Sequence, residues 1–367
     1  MAVPKFDPKE MTVAREIPAF GPPGTPPTKV YSTPVPLKDG YLAAMKREPI
    51  WQVSGIETGM FAPRIYVDNI VRAMVIDGEG FIMNDQGGIP VGGKDIFGVE
   101  WVFVPSAGGS TVKPGNPLLA NVNDWERVIQ FPNIDEWDWE NAGKKNEAYL
   151  KSLDTLPMIW FQTGFFERLI SFMDFEGAAM AMIDEDQQDA VKALMMALAD
   201  LYIRMFDKFR QYFNLTSYTI HDDWGSQMAP FFSPAVGREL IVPAMRKVTD
   251  HIHAMGGIAD FHSCGHVDAC IPNMIEAGWD SWSGMAMNDT QGDYEKYGDR
   301  IIIGVIPDQW DPAVTPEEKQ QEEARKFVDR FCRPGKPALI NYYGSQVMTP
   351  AFREELYRYS RIKLGGQ

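Results

Sequence analysis

From about residue 157 onward, short apolar runs alternate with longer amphipathic stretches, and this rhythm constrains the fold more than any other feature of the chain. Strand-like runs at Pro157–Phe161, Thr216–His221, Gly257–Phe261, Asp280–Gly284, Ile301–Val305 and Ala338–Tyr342 are interleaved with helical patterns. The patterns cover 165–184, 187–212, Pro234–Met255, Val267–Ala277 and Pro316–Cys332. Strands joined in this way must pair in parallel, because each return to the sheet needs a crossover helix. Upstream, a strand over Ile50–Ile56 ends at Glu57, with helices over Tyr41–Arg47, Val67–Asp77, Asp124–Pro132 and 135–155. About eight such units predict an α/β chain closed into a (β/α)8 barrel, the TIM-barrel architecture, rather than an open doubly wound sheet. No G-x-G-x-x-G or P-loop follows any strand.

The rhythm is broken twice. Residues 1–40 are Pro-rich, with Pro22, Pro23, Pro26, Pro27, Pro34 and Pro36. They read as an extended arm that wraps the surface or a partner subunit. Residues 78–125 are Gly-rich and β-prone, including Gly98-Val99-Glu100-Trp101-Val102-Phe103-Val104, and read as a hairpin-bearing excursion. The expected organisation is therefore an arm, 1–40, and a single barrel domain, 41–367, carrying the excursion. A length of 367 residues with 45% hydrophobic content suits one barrel with insertions.

A net charge of −15 without a basic stripe argues against nucleic acid or anionic membrane as partner. No run reaches the ~20 apolar residues of a membrane span, and the N-terminus lacks a signal-peptide pattern. Three cysteines without paired spacing, Cys264, Cys270 and Cys332, argue for a reducing, cytoplasmic setting.

In a barrel, the C-terminal strand ends converge at one mouth, where chemistry sits. The ends here carry Glu57, Gln162, Asp222 and Asp223, His262 and Cys264, Ser283, Asp308, and Asn341 with Tyr342 and Tyr343. His262 and Cys264 flank one residue, so on an extended segment their side chains point the same way. Imidazole plus thiolate suits zinc. Glu57, Asp222, Asp223 and Tyr342 are candidates to complete its shell. The bland alternative is a buried Cys and a hydrogen-bonded His at a strand–helix turn. Asp222 is a candidate proton donor, with the cap of a turn or helix as the alternative. Glu57 and Tyr342 are the other catalytic candidates. His221 is expected to pack between strand and helix. Trp51, Trp160, Trp224 and Asn341 are candidates for lining a slot suited to an aromatic ring, although core packing explains most tryptophans.

These same segments resemble the uroporphyrinogen decarboxylase superfamily from about residue 40 onward. The likeness is strongest in Phe161-Gln162-Thr163-Gly164-Phe165-Phe166-Glu167-Arg168, in Asp222-Asp223-Trp224-Gly225-Ser226-Gln227, and in Phe261-His262-Ser263-Cys264-Gly265. The resemblance implies a (β/α)8 barrel of that type. Heme-pathway decarboxylation is disfavoured at three positions. There is no Arg in Ile50–Gly59, Ser171-Phe172-Met173 stands where those enzymes place a Tyr, and Asn341-Tyr342-Tyr343-Gly344 replaces their Gly-His-Gly. The corrinoid-dependent methyltransferases look closer. Their zinc enzymes use a His-x-Cys pair plus a distant Cys, and near Tyr342 this chain has no Cys. The aromatic mouth, arm and excursion resemble the group that moves a methyl from a methoxylated aromatic compound to a separate corrinoid (cobalamin) protein. What the resemblance implies is therefore an O-demethylating methyltransferase with Zn2+ on His262 and Cys264, a corrinoid protein as partner, and a homodimer. The competing readings are a decarboxylase for another small acid, a methylcobamide:thiol methyltransferase, and a non-catalytic barrel that binds a tetrapyrrole or corrinoid.

Overall fold

The structure, a computed structural model, describes residues 3–18, 26–83, 91–105, 109–341 and 347–365. Seven strands are hydrogen-bonded into one sheet: β1 Thr58–Phe61, β2 Leu156–Phe161, β3 Ser217–His221, β4 Ile258–His262, β5 Ser281–Ser283, β6 Ile302–Val305 and β7 Leu339–Ile340. Their lateral order is their order along the chain. The pairings β2–β3, β3–β4, β5–β6 and β6–β7 are parallel. A doubly wound sheet would reverse direction part-way, so this order is that of a TIM-barrel-like α/β fold.

The expected eight-stranded closure is not seen among the described residues, where the sheet has seven strands. Residues 50–56 do not form the predicted strand. Their chain turns at Gly55, which has φ 89°, and folds back over the Glu57 carboxylate. Two bonds still tie the segment to the last strand and the residue before it. Ile340 N–H donates to Val53 O at 3.3 Å, and the Gln52 side-chain amide donates to Ala338 O at 2.8 Å.

Other boundaries moved for local reasons. The helix expected over Val67–Asp77 stops at Val71, and Met74–Asp77 pairs antiparallel with Gly80–Met83. The excursion thus begins earlier than expected. It continues as a three-stranded sheet of Gly93–Lys94, Glu100–Val104 and Gly109–Val112. The single helix expected over Pro234–Met255 is two, Pro234–Leu240 and Val242–Ala254. Pro243 sits in the first turn of the second helix, where its missing N–H costs nothing. Among the described residues, no helix is long and apolar enough to cross a membrane.

The chain divides into two units. One comprises residues 1–59, 154–156 and 281–367. In it Val13–Ile17 pairs antiparallel with Thr28–Tyr31, and Val30 and Tyr31 pack with Leu37, Ile50, Trp51 and Tyr357. Buried Arg361 holds Glu10 at 2.8 Å. The described part of the arm is therefore folded against its own chain. Pro22 and Pro23 lie outside the described residues.

The second unit comprises residues 60–153 and 157–280. Its helices α1, Phe165–Ile183, and α2, Gln188–Phe213, follow β2. Helix α2 buries Val191, Leu194, Leu198, Leu201, Met205 and Phe209, the spacing of one helical face. On β3 and β4, period two puts Tyr218, Ile220, Ala259 and Phe261 on one side. Tyr218 packs on Phe206 of α2 with ring centroids 4.9 Å apart. The other side carries Thr219, His221, Asp260 and His262.

Arg168 of α1 is fully buried and pairs with Asp68 and, at 2.6 Å, with Asp95. Breaking a buried pair strands the remaining charge. Arg168→Met should therefore lower stability by about 3–5 kcal/mol, read from the urea unfolding midpoint. A midpoint within error of wild type would refute the claim that this cluster holds the excursion to α1.

Candidate metal centre and its support

Two histidines face each other across β3 and β4. His221 and His262 are register partners in a parallel pair, so their side chains leave the same face of the sheet. Their rings lie 5.3 Å apart, inclined by 25°. Cys264, two residues beyond His262, brings Sγ to 3.6 Å from His262 Nε2 and 4.0 Å from His221 Nε2. Gly265, with φ 92°, turns the chain directly after it. Any Cβ there would sit 2.2 Å from Gly225 O, so the turn requires glycine.

The donor atoms of His221, His262 and Cys264 lie within 4.8 Å of one another. Tetrahedral bonds of about 2.0 Å to nitrogen and 2.3 Å to sulfur place those two atoms roughly 3.5 Å apart. The two S···N distances are close to this value, so the spacing and chemistry of the three donors fit a zinc ion. The overlapping group Glu167, His221 and Asp223 also meets the distance condition. A second feature favours the first set, because His221 Nδ1 is engaged by Glu167 Oε2 at 2.9 Å. That bond leaves Nε2 for a metal. Carboxylate–histidine pairs of this kind orient metal ligands.

Glu167 belongs to the first turn of α1, and its placement depends on Asp222. The Asp222 carboxylate accepts from Phe166 N–H at 3.1 Å, Glu167 N–H at 2.8 Å and the Trp224 indole at 2.8 Å. It is fully buried. It supplies the acceptor that the helix N-terminus lacks, but from a neighbouring strand rather than from the N-cap position. Gly164 permits this approach, because a Cβ there would lie 2.5 Å from Asp222 Cβ.

Charge in the site alternates. Burial works to raise the Glu167 carboxyl, but the Arg72 guanidinium and His221 outweigh it and hold it down at about 2. Burial opposes protonation of His221, yet Asp223 and Glu167 push it well above the usual histidine range. Burial, with nearby Glu167, lifts Asp222 to about 7 against the three donors it accepts from. Burial also raises the Cys264 thiol, and His221 opposes that rise. Bound metal would displace the protons on His221 Nε2 and Cys264.

The remaining sequence candidates fall as follows. Asp223 Oδ1 lies 3.4 Å from His221 Nε2 and accepts Cys264 N–H at 2.9 Å. Trp160 of β2 lies beside both histidines, with ring centroids 5.6 Å from each. Its buried Nε1 has no hydrogen-bond partner among the described residues. Trp224 is core, packed on Phe232 and Phe261. Trp51 is buried against Tyr357. Glu57 is buried, and its carboxylate accepts from the Trp51 indole at 2.8 Å and from Ser54 and Gly55 N–H at 3.0 and 2.9 Å. It belongs to neither group of prospective ligands among the described residues. Asn341 is buried and donates to Gly284 O at 2.6 Å. Tyr342 lies outside the described residues.

The sequence reading passed over the ligand position of His221 and the roles of Glu167 and Arg72. One signal was available. His221 ends its apolar run just as His262 ends the next, so aligning consecutive strand ends pairs the two.

No family model matches the chain, and no curated protein matches it. Among solved structures, a methyltransferase from Methanosarcina mazei matches with a TM-score of 0.51 at 16% identity, over 89% of this chain and 98% of that one. At this identity the likeness is one of fold, and it agrees with the TIM-barrel-like strand order.

If Asp222 anchors α1, Asp222→Ala should leave three buried N–H groups unpaired and cost about 1–3 kcal/mol. Chemical denaturation measures this directly. An unchanged midpoint would mean that the three bonds contribute nothing to stability.

Proposed function

We propose that this protein is a zinc-dependent methyltransferase that takes a methyl group from a methoxylated aromatic compound and delivers it to the cob(I)alamin of a separate corrinoid protein. The observation that carries the reading is the His221–His262–Cys264 set, oriented through Glu167. It sits at the C-terminal ends of adjacent parallel strands, where barrel enzymes do their chemistry. The Methanosarcina mazei protein of like fold is named a methyltransferase. The resemblance through Phe161–Arg168, Asp222–Gln227 and Phe261–Gly265 points the same way.

Zinc held there would supply Lewis acidity to the ether oxygen, offsetting the charge that develops on a departing phenolate. The protein's own part is positional. Glu167 fixes the plane of His221 by holding the proton on Nδ1, so that Nε2 is the atom from which a metal would displace a proton. Cys264 is held in place by the bond from its backbone N–H to Asp223. Trp160 offers an aromatic face next to both imidazoles, and its unpaired indole N–H would gain an acceptor from an oxygen of a bound ligand.

The donor set also bears on the choice between an ether and a thiol. Two neutral imidazoles and one thiolate leave a zinc site with net positive charge, which suits an incoming neutral oxygen. A second thiolate would lower that acidity, and the chain has no Cys near Tyr342 to provide one.

Elemental mass spectrometry of the purified protein should find about one zinc per chain, lost from His221→Ala, His262→Ala and Cys264→Ala. With a reduced corrinoid protein, wild type should convert cob(I)alamin to methylcobalamin using methoxybenzoates, followed by absorbance. The three variants should do so at least about 100-fold more slowly, the upper end of the loss caused by removing merely a supporting group. Absence of zinc from wild type, or full methyl transfer by His221→Ala, would overturn the reading.

A further inference from the structure

The excursion packs against a residue that supports the metal centre from outside. Arg72 follows the short helix Val67–Val71 and is largely buried, with a side chain 11% exposed. Its guanidinium donates to Glu167 Oε1 at 2.7 Å and lies 3.4 Å from Thr163 Oγ1. The opposite oxygen of Glu167 is the one that engages His221 Nδ1. The Arg72 guanidinium also lies over the Trp101 ring, 4.7 Å from its centroid. Trp101 is itself pinned, because its indole N–H donates to Asp95 Oδ2 at 2.9 Å. Asp95 in turn accepts from Phe97 and Val99 N–H, each at 2.9 Å, and from Arg168 at 2.6 Å.

We propose that Arg72, packed against Trp101 of the excursion, is a positioning residue for the metal centre that acts through Glu167 on His221. The inference rests on the zinc reading above.

A carboxylate with one oxygen on His221 can still rotate about its terminal torsion, which is broad and twofold. An Arg on the other oxygen removes that freedom, because a guanidinium presents its donors in a fixed plane. Trp101 holds the guanidinium in place through a cation–π contact, a contact that gains strength when desolvated. The excursion therefore has a function at the site without contributing a ligand.

A double-mutant cycle tests this. Zinc affinity of wild type, Arg72→Met, Glu167→Gln and the double variant is measured by competition with a chromophoric chelator. Each single variant should bind about 10- to 100-fold more weakly. The double variant should be no weaker than Glu167→Gln alone, because Arg72 then has nothing to position. Trp101→Leu should weaken binding in the same direction, and Arg72→Lys should recover part of it. The d–d absorption of the Co2+-substituted proteins supplies a second readout, with a changed band for Arg72→Met in protein that remains folded by circular dichroism. Unchanged affinity in Arg72→Met, or additive losses in the double variant, would overturn the inference and leave the zinc reading standing. Wild type without metal would overturn both. If Arg72→Met does not fold, Trp101→Leu and Arg72→Lys carry the test, and wild-type affinity in Trp101→Leu would count against it.

Discussion

The bond from His221 Nδ1–H to Glu167 joins the sheet to the first helix after β2, and Arg72, on the other Glu167 oxygen, carries the link on to Trp101 of the excursion. It requires α1 to begin within reach of the β3 end. Two features bring this about. Gly164 has no side chain to meet Asp222, and Asp222 takes the N–H groups of Phe166 and Glu167. A Cβ at position 164 would push α1 away, and Glu167 with it. The geometry of the prospective metal set is thus decided by helix anchoring as much as by the ligands.

Electrostatics makes the same arrangement tolerable. Glu167, His221, Arg72 and Asp222 are all deeply buried, and any one of them unpaired would be costly. They are stable as a group because opposite charges alternate: Arg72 beside Glu167, Glu167 beside His221, His221 beside Asp223. Asp222 lies outside that alternation and is pushed toward neutrality. It is offset by three N–H donors rather than by a cation.

Much of the architecture was readable along the chain. Ile301–Val305 is apolar throughout, as expected of a parallel strand covered on both faces, and Thr216–His221 is rich in β-branched and aromatic residues. The structure returns them as β3 and β6 almost unchanged. Where the reading failed, a local signal was outvoted. Ile50–Ile56 is as apolar as a strand, but Ser54-Gly55 turns it over Glu57. Met74–Asp77 is compatible with a helical period, yet Gly78 and Gly80 allow a tight hairpin in which the same residues alternate. Pro243 divides what periodicity alone made one helix.

At the site the division is sharper. His262 and Cys264 were legible because their relation is local: two residues on one extended segment must face the same way. Charge balance, cysteine content and the strand–helix rhythm were likewise determined by composition and order. His221, Glu167 and Arg72 come from other segments, and their relation to the pair depends on register between strands and on where α1 starts. Neither is encoded at fixed spacing. A shift of one residue in the β3–β4 register would turn His221 to the opposite face, and the coincidence of the two strand ends is the one trace of that register in the sequence. Only the folded sheet placed the second imidazole opposite the first, and only the packing of α1 and the excursion put a carboxylate and an arginine behind it.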